Sequence, residues 1–110
     1  MEIQTNTRQL PALDEYGLLR NPDTWNEWVA REIAAQLGIQ ELTGSHWNVI
    51  YTLREHYAEF GVAPPAKNIC RAEGKPWSWV HELFGSCLNA WRVAGLPNPG
   101  EEAKSYMSDM

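Results

Sequence analysis

The sequence predicts an α+β domain that is predominantly α-helical, with a small antiparallel β-meander or hairpin at its N-terminus. Two observations lead to this fold class. Residues 1–20 lack helical periodicity, and Ile3, Thr5 and Thr7 alternate in the way that is typical of a strand. From residue 21 onward, apolar side chains recur at helical spacing in five segments separated by glycine or proline.

The first two helices have the clearest sequence boundaries. Asn21 with the proline after it, or Thr24 with a glutamate three residues later, predicts the start of the first helix, and Gly38 predicts its end. Thr43 is a suitable N-cap for the second helix, which we expect to end at Gly61. The apolar residues predicted to form the buried stripe of this second helix are Trp47, Ile50, Leu53, Tyr57 and Phe60.

Three shorter helices and a C-terminal arm complete the prediction. After a stiff proline connector, helices are expected over residues 65–73, 78–84 and 86–94. Gly95 ends the last helix, and two prolines shortly after it prevent its continuation. We therefore expect residues 1–97 to form a single domain and residues 98–110, which are mostly polar, to form a flexible arm.

Composition and charge argue against several classes of protein. The formal net charge of −5 opposes general phosphate binding, and no window is long and apolar enough for a membrane span. The N-terminus shows no signal-peptide pattern, so we expect a cytoplasmic protein. Residues 61–97 nevertheless carry four bases and two acids, and this region is either a weak anion-binding surface or a solvated helical face.

Cys70 and Cys87 are the only cysteines, and in a reducing cytoplasm we expect two thiols rather than a disulfide. Cys87 lies near a predicted helix N-terminus, which favours a thiolate, and Cys70 precedes Arg71. Each is a candidate nucleophile, with a buried, unreactive thiol as the alternative. The cysteines and the three histidines lack metal-ligand spacing, and no catalytic or cofactor motif is present. We expect no metal, no cofactor and no self-contained enzyme active site.

The second helix, the proline connector and the third helix could together form a helix-turn-helix. In that interpretation Lys67, Asn68 and Arg71 would face DNA, with Lys75 nearby. Two consecutive prolines are unusual in the turn of that motif. DNA binding is therefore an alternative function rather than the leading one.

Several stretches resemble one family when they are taken in order. They are Leu-Asp-Glu-Tyr-Gly-Leu-Leu at 13–19, Leu-Thr-x-x-His-Trp at 42–47, Ala-Pro-Pro-Ala-Lys at 63–67 and Ala-Gly-Leu-Pro-Asn-Pro at 94–99. Their order and spacing are similar to those of the DsrC/TusE family, sulfur-trafficking proteins related to the gamma subunit of dissimilatory sulfite reductase. The resemblance extends over roughly residues 13 to 100.

The resemblance implies a fold and a chemistry. The fold is an N-terminal β-meander on about five helices, including a helix-turn-helix-like part, with a flexible C-terminal arm. In the family that arm ends in a cysteine that carries persulfide sulfur, and the partners of sulfite reductase have a second cysteine upstream. Here Trp91 stands at the upstream position and Glu102 near the terminal one. The chain therefore resembles the branch of the family that lacks these cysteines.

The expected function follows from this difference. We expect a monomeric, non-catalytic binding or regulatory partner of sulfite reductase or of sulfur-relay proteins. The alternatives are a sulfur carrier or sulfurtransferase that uses Cys87 or Cys70, and a DNA-binding regulator. The residues expected to contact the protein partner are Trp91, Arg92, Gly95, Leu96, Pro97 and Pro99.

Overall fold

The structure is a computed structural model that describes residues 11–64, 66–76 and 78–108. Within these ranges it contains one 3-10 turn and six α-helices. No helix there is long and apolar enough to cross a membrane. The elements are the turn Pro22–Thr24, α1 Glu27–Gln36, α2 Gly44–Phe60, α3 Ala66–Ala72, α4 Trp79–Phe84, α5 Cys87–Val93 and α6 Glu101–Ser108.

The predicted α+β fold class is wrong, because the described residues form no strand and the fold is all-α. In place of a meander there is one antiparallel bridge between Leu13 and Leu19. Asp14 explains the difference: its backbone N–H donates to the Leu18 carbonyl (2.7 Å) and its carboxylate accepts from the Leu18 N–H (3.0 Å). These bonds close a tight turn instead of extending a ladder. The rest of the predicted meander lies in residues 1–10, outside the described residues.

The first helix begins later than predicted. Asn21 caps the 3-10 turn by accepting a hydrogen bond from the Asp23 N–H at 3.0 Å. The cap of α1 is Asn26, whose side chain accepts from the Val29 N–H at 2.9 Å. The predicted end is confirmed, because α1 finishes just before Gly38, which has a φ of 86°.

Both predicted ends of the second helix are confirmed. Thr43 is the N-cap of α2, and its backbone N–H donates to His46 Nδ1 at 3.1 Å. His46 Nε2 lies 2.9 Å from the Leu83 carbonyl, so this imidazole also joins the start of α2 to the end of α4. Gly61 ends the helix with a φ of 72°, in the left-handed region that suits glycine.

Helix α5 lies at the centre of the fold. It packs against α1, α2, α4 and α6. Most of its side chains are therefore buried, and the large indole of Trp91 is fully buried. The remaining buried residues of α5 are Cys87, Leu88, Ala90 and Val93.

The C-terminal segment contains a helix that the sequence did not predict. Asn98 accepts a hydrogen bond from the Gly100 N–H (2.8 Å), Gly100 adopts a φ of 101°, and the chain then folds back as α6 against α5. Met107 of α6 is fully buried and Lys104 is nearly so. Residues Glu101–Ser108 of the expected arm therefore form a helix packed on α5. The flexibility of the arm and the domain boundary placed at residue 97 stay predictions.

Candidate functional site

A groove of about 440 Å³ lies between the C-terminal end of α2 and the N-terminal half of α6. Tyr57 and Val62 line its α2 side, Glu102 and Tyr106 line its α6 side, and Trp91 lies beneath. The backbone of residues 98–100 forms one end. The structure therefore brings residue 91 and residue 102 to one cleft, although they belong to different helices.

Trp91 joins this groove to the core. Its indole meets the Tyr57 ring edge to face, with 5.7 Å between ring centroids and an interplanar angle of 81°. Its Nε1–H donates to the Pro97 carbonyl at 2.7 Å. A single buried ring thus connects α5, α2 and the segment that leads into α6.

The segment of residues 93–97, which we call the root, is held from the opposite side by α2 and the turn before α1. Trp25 Nε1–H donates to the Val93 carbonyl at 3.0 Å, and Arg54 Nη1–H donates to the Ala94 carbonyl at 2.6 Å. The Arg54 guanidinium also lies over the Trp25 ring, 4.1 Å from its centroid. Burial lowers the pKa of Arg54 from its ordinary value. A cation that is half-buried against a carbonyl and a ring is a fixed part of the scaffold.

Gly95 shows how closely the root is enclosed. It has a φ of 71°, and a Cβ at this position would overlap the Trp25 ring. Arg92, one turn earlier, donates from Nε to the Tyr16 carbonyl (2.8 Å) and from Nη1 to the Asn89 side chain (2.6 Å). The root is therefore anchored to the turn before α1 and to α2, and Arg92, the residue just before the root, is bonded to Tyr16.

Helix α6 packs against α5, and Lys104 adds a contact with the N-terminal turn. Its ammonium lies 3.2 Å from the centroid of the Tyr16 ring, and it also pairs within α6 with the Glu101 carboxylate at 3.1 Å. The Lys104 side chain is only 8% exposed, whereas that of Glu101 is 84% exposed. With the buried Met107, this tether fixes α6 against the body of the protein.

The expected partner-binding residues do lie close together, but most of them face inward. Gly95 and Leu96 are buried, as is Trp91, while Arg92 and Pro97 are half-buried. Pro99 lines the groove. What a partner can reach is therefore the groove and its rim, more than the expected residues themselves.

The two cysteines are poor nucleophiles in this structure. Cys70 and Cys87 are each about 1% exposed, and they form no disulfide. Burial, with a smaller contribution from the neighbouring Cys70, raises the pKa of the Cys87 thiol to about 12. This direction is opposite to the one expected from its position near the start of α5. Neither cysteine lines the groove.

The residues considered for DNA binding lie away from the groove. Asn68, Arg71 and Lys75 are exposed on or just after α3, with the acidic Glu73 among them. The side chain of Lys67 lies outside the described part of the structure. In the described ranges no three His, Cys, Asp or Glu side chains are grouped closely enough to hold a metal ion.

Sequence reasoning missed the apolar rim of the groove. Phe60 and Val62 are 60% and 59% exposed, and Tyr106 is 40% exposed. Phe60 was assigned to a buried stripe, and Tyr106 to a mobile tail. The signal that could have revealed α6 is the pair Lys104 and Met107, which lie three residues apart and so share a helical face.

Comparison with known proteins gives consistent matches. The family model described as "DsrC like protein" matches residues 4–101. The chain is 35% identical to Sulfurtransferase TusE of Salmonella choleraesuis, with 78% of this chain and 86% of the relative covered. It is 35% identical to a Sulfurtransferase TusE homolog of Haemophilus influenzae, with 80% and 88% covered.

A solved structure agrees with these relatives. The oxidized gamma-subunit of the dissimilatory sulfite reductase (DsrC) from Archaeoglobus fulgidus superposes with a TM-score of 0.73 at 33% identity, over 83% of this chain and 90% of that one. The family model covers most of the chain, and the relatives exceed 30% identity over most of its length. The chain therefore belongs to the DsrC-like family.

Proposed function

We propose that this protein acts in sulfur metabolism as a DsrC/TusE-like binding or regulatory partner that does not itself carry sulfur. One observation carries the proposal: Trp91 and Glu102, which stand where the family resemblance puts the two arm cysteines, both line one groove, and that groove contains no thiol. On that placement, an indole and a carboxylate stand in the groove where sulfur relay would need two thiols.

The chemistry of sulfur relay explains why these two residues matter. A carrier thiolate attacks the outer sulfur of a donor persulfide, takes that sulfur as its own persulfide, and releases the donor thiolate. An indole ring and a carboxylate cannot perform this exchange. Cys87 and Cys70 are buried, and at neutral pH a thiol whose pKa is about 12 is almost entirely protonated. These features support a role without sulfur transfer.

The relatives supply the class of partner. Proteins named sulfurtransferase TusE and the gamma subunit of dissimilatory sulfite reductase are similar to this chain over most of its length. We expect it to bind sulfite reductase or sulfur-relay proteins as a monomer and to compete there with sulfur-carrying members of the family. The anchored root, with Gly95 against Trp25, maintains the scaffold for such binding.

Mass spectrometry after incubation with a persulfide donor tests the absence of transfer. We expect no gain of one sulfur atom on the wild-type chain. Glu102→Cys is the matched control, because this exposed position would present a thiol at the groove and should take up sulfur. A sulfur adduct on the wild-type chain that disappears in Cys87→Ser or Cys70→Ser would contradict the proposal and favour the sulfur-carrier alternative.

Co-purification with sulfite reductase and with sulfur-relay proteins tests the partner. We expect binding to at least one of them, and weaker binding of a cysteine-carrying family member when this chain is in excess. If neither kind of protein is bound, the proposal fails.

DNA binding has less support than protein binding. Asn68, Arg71 and Lys75 are exposed, but three such residues beside Glu73 make a small basic surface on a chain with a net charge of −5. A mobility-shift assay at low and high salt measures it, because phosphate contacts strengthen as salt falls. Binding at low salt that is lost in Arg71→Gln would revive this alternative.

A further inference from the structure

We propose that the groove receives an arginine-containing apolar segment of a partner protein. The inference rests on the proposed function, since it names the chemistry of the partner at that same site. It starts from what lines the groove: three aromatic rings, two carboxylates and no lysine or arginine. That combination matches a cation that also has apolar surface.

Two tyrosine rings of the groove are open to such a cation, and the third ring, that of Trp91, is buried beneath them. Tyr57 is half-buried, Tyr106 is 40% exposed, and Trp91 lies below them. A volume of about 440 Å³ is enough for one long side chain and its neighbours. A guanidinium is planar and weakly hydrated, so it stacks on such rings at a lower desolvation cost than an ammonium.

The two carboxylates of the rim are not equivalent. Glu101 is paired with Lys104 at 3.1 Å. Glu102 is exposed and forms no ion pair with any residue in the described ranges. The groove therefore has one acceptor available for a bidentate arginine contact, and its charge is complementary to a basic segment.

The apolar rim indicates that the occupant is a peptide segment rather than a small cation. Val62 lines the groove and is 59% exposed, and Phe60, two residues earlier at the end of α2, is 60% exposed. Adjacent exposed apolar side chains of this kind are typical of surfaces that bind other proteins. Apolar residues flanking the arginine would cover them, while the arginine itself enters between Tyr106 and Glu102.

A titration monitored by NMR tests the proposal without any knowledge of the partner. The probe is a capped octapeptide of alternating leucine and arginine, and the matched controls carry citrulline or glutamate in place of arginine. We expect the arginine peptide to shift the Trp91 indole N–H signal and the amide signals of Val62 and Glu102. The citrulline peptide should bind about threefold or more weakly, because it lacks the charge.

Chain variants locate the contact. Glu102→Gln should weaken binding of the arginine peptide about threefold and leave binding of the citrulline peptide unchanged. Val62→Ser, which removes the apolar contact without adding a charge, should weaken both peptides about fivefold. Glu32→Gln, an exposed acid of α1 outside the groove, is the control and should bind as the wild type does. The dispersion of the NMR spectrum reports whether each variant is folded.

Several results would overturn the proposal. They are equal binding of the arginine and citrulline peptides, shifts that map away from the groove, equal effects of Glu102→Gln and Glu32→Gln, or no binding at millimolar peptide. A concentration-dependent dimer abolished by Val62→Ser would assign the groove to a second copy and also overturn it. None of these measurements uses sulfite reductase or a relay protein. The proposed occupant of the groove can therefore be wrong while the proposed function stands, and the proposed function can be wrong while the occupant is right.

Discussion

The root and helix α6 are adjacent in sequence, but they are held in different ways. The root receives hydrogen bonds from Trp25 and Arg54, and Gly95 fits against the Trp25 ring without room for one more carbon atom. Helix α6 depends on Lys104 and Met107. The C-terminal part of this chain therefore consists of a base held by side-chain hydrogen bonds from other elements and a helix held by packing on α5 and by one lysine–ring contact. We expect substitutions in the root to unfold the protein and substitutions in α6 to act locally.

The largest expected effect in this comparison comes from Gly95→Ala. The substitution combines a positive φ with an overlap against Trp25, and it should lower the free energy of unfolding by about 3 kcal/mol. Urea denaturation measures the change. Gly38→Ala is the matched control, because Gly38 has a similar positive φ but an added Cβ would meet nothing within 4 Å, so about 1 kcal/mol is expected. Equal losses in the two variants would show that the root is not closely enclosed.

Arg54→Met should have the next largest effect. Methionine retains part of the apolar stem but leaves the Ala94 carbonyl without its charged donor, at a cost of about 2 kcal/mol in unfolding free energy. Arg31→Met is the control. Arg31 also lies over an aromatic ring, that of Trp47, but it is exposed and its ion pair with Glu27 is 3.8 Å long. We expect a loss of no more than about 0.5 kcal/mol there, measured by the same denaturation.

The buried thiol of Cys87, at the start of α5, should make the free energy of unfolding fall at alkaline pH. Burial raises the pKa of this thiol to about 12 in the folded protein, from an ordinary value of 9.0. The contribution of the protonated thiol to the free energy of unfolding is therefore fully present below the pKa of the unfolded state, and it is lost as pH rises toward the pKa of the folded state. Between about pH 8 and about pH 10 the unfolding free energy should fall by about 1 kcal/mol more than in Cys87→Ala. Urea titrations of both proteins at the two pH values provide the measurement. An identical pH dependence would show that this thiol is not buried as described.

The root and the helix ends show which features of the fold the sequence could predict. Gly95, Pro97 and the caps at Thr43 and Gly61 act through local backbone geometry, so their positions predict helix ends directly. The bridge between Leu13 and Leu19 does not extend into a ladder because the Asp14 carboxylate accepts hydrogen bonds from the Tyr16 and Leu18 N–H groups and closes a turn. Alternation along the chain does not reveal these bonds. This is why the fold class was predicted wrongly.

Tertiary contacts account for what was missed at the site. Residues 98–110 are polar, and the two features that dock α6 are a lysine over a distant tyrosine ring and a methionine in a pocket of the core. Likewise, Tyr57 and Phe60 share a helical stripe, but in the fold Tyr57 lines the groove and Phe60 is left exposed. Spacing predicts which side chains share a face. It does not predict what lies opposite that face.

The smallest effect on overall stability, and the sharpest contrast with the root, is expected from Lys104→Met. Methionine fills the buried volume but removes the ammonium from Glu101 and from the Tyr16 ring. Because Glu101 is exposed and loses little when unpaired, the unfolding free energy should change by less than about 1 kcal/mol.

The local consequence of Lys104→Met should be larger, since the contact with Tyr16 is lost while the root is intact. Amide hydrogen exchange should therefore accelerate across Glu101–Ser108 and stay unchanged at Val93–Leu96. Lys75→Met, an exposed lysine 5.8 Å from the Trp79 ring, should leave both segments unaffected. If exchange accelerates equally in α6 and in the root, the two regions open as one unit, and the distinction between their two kinds of attachment is wrong.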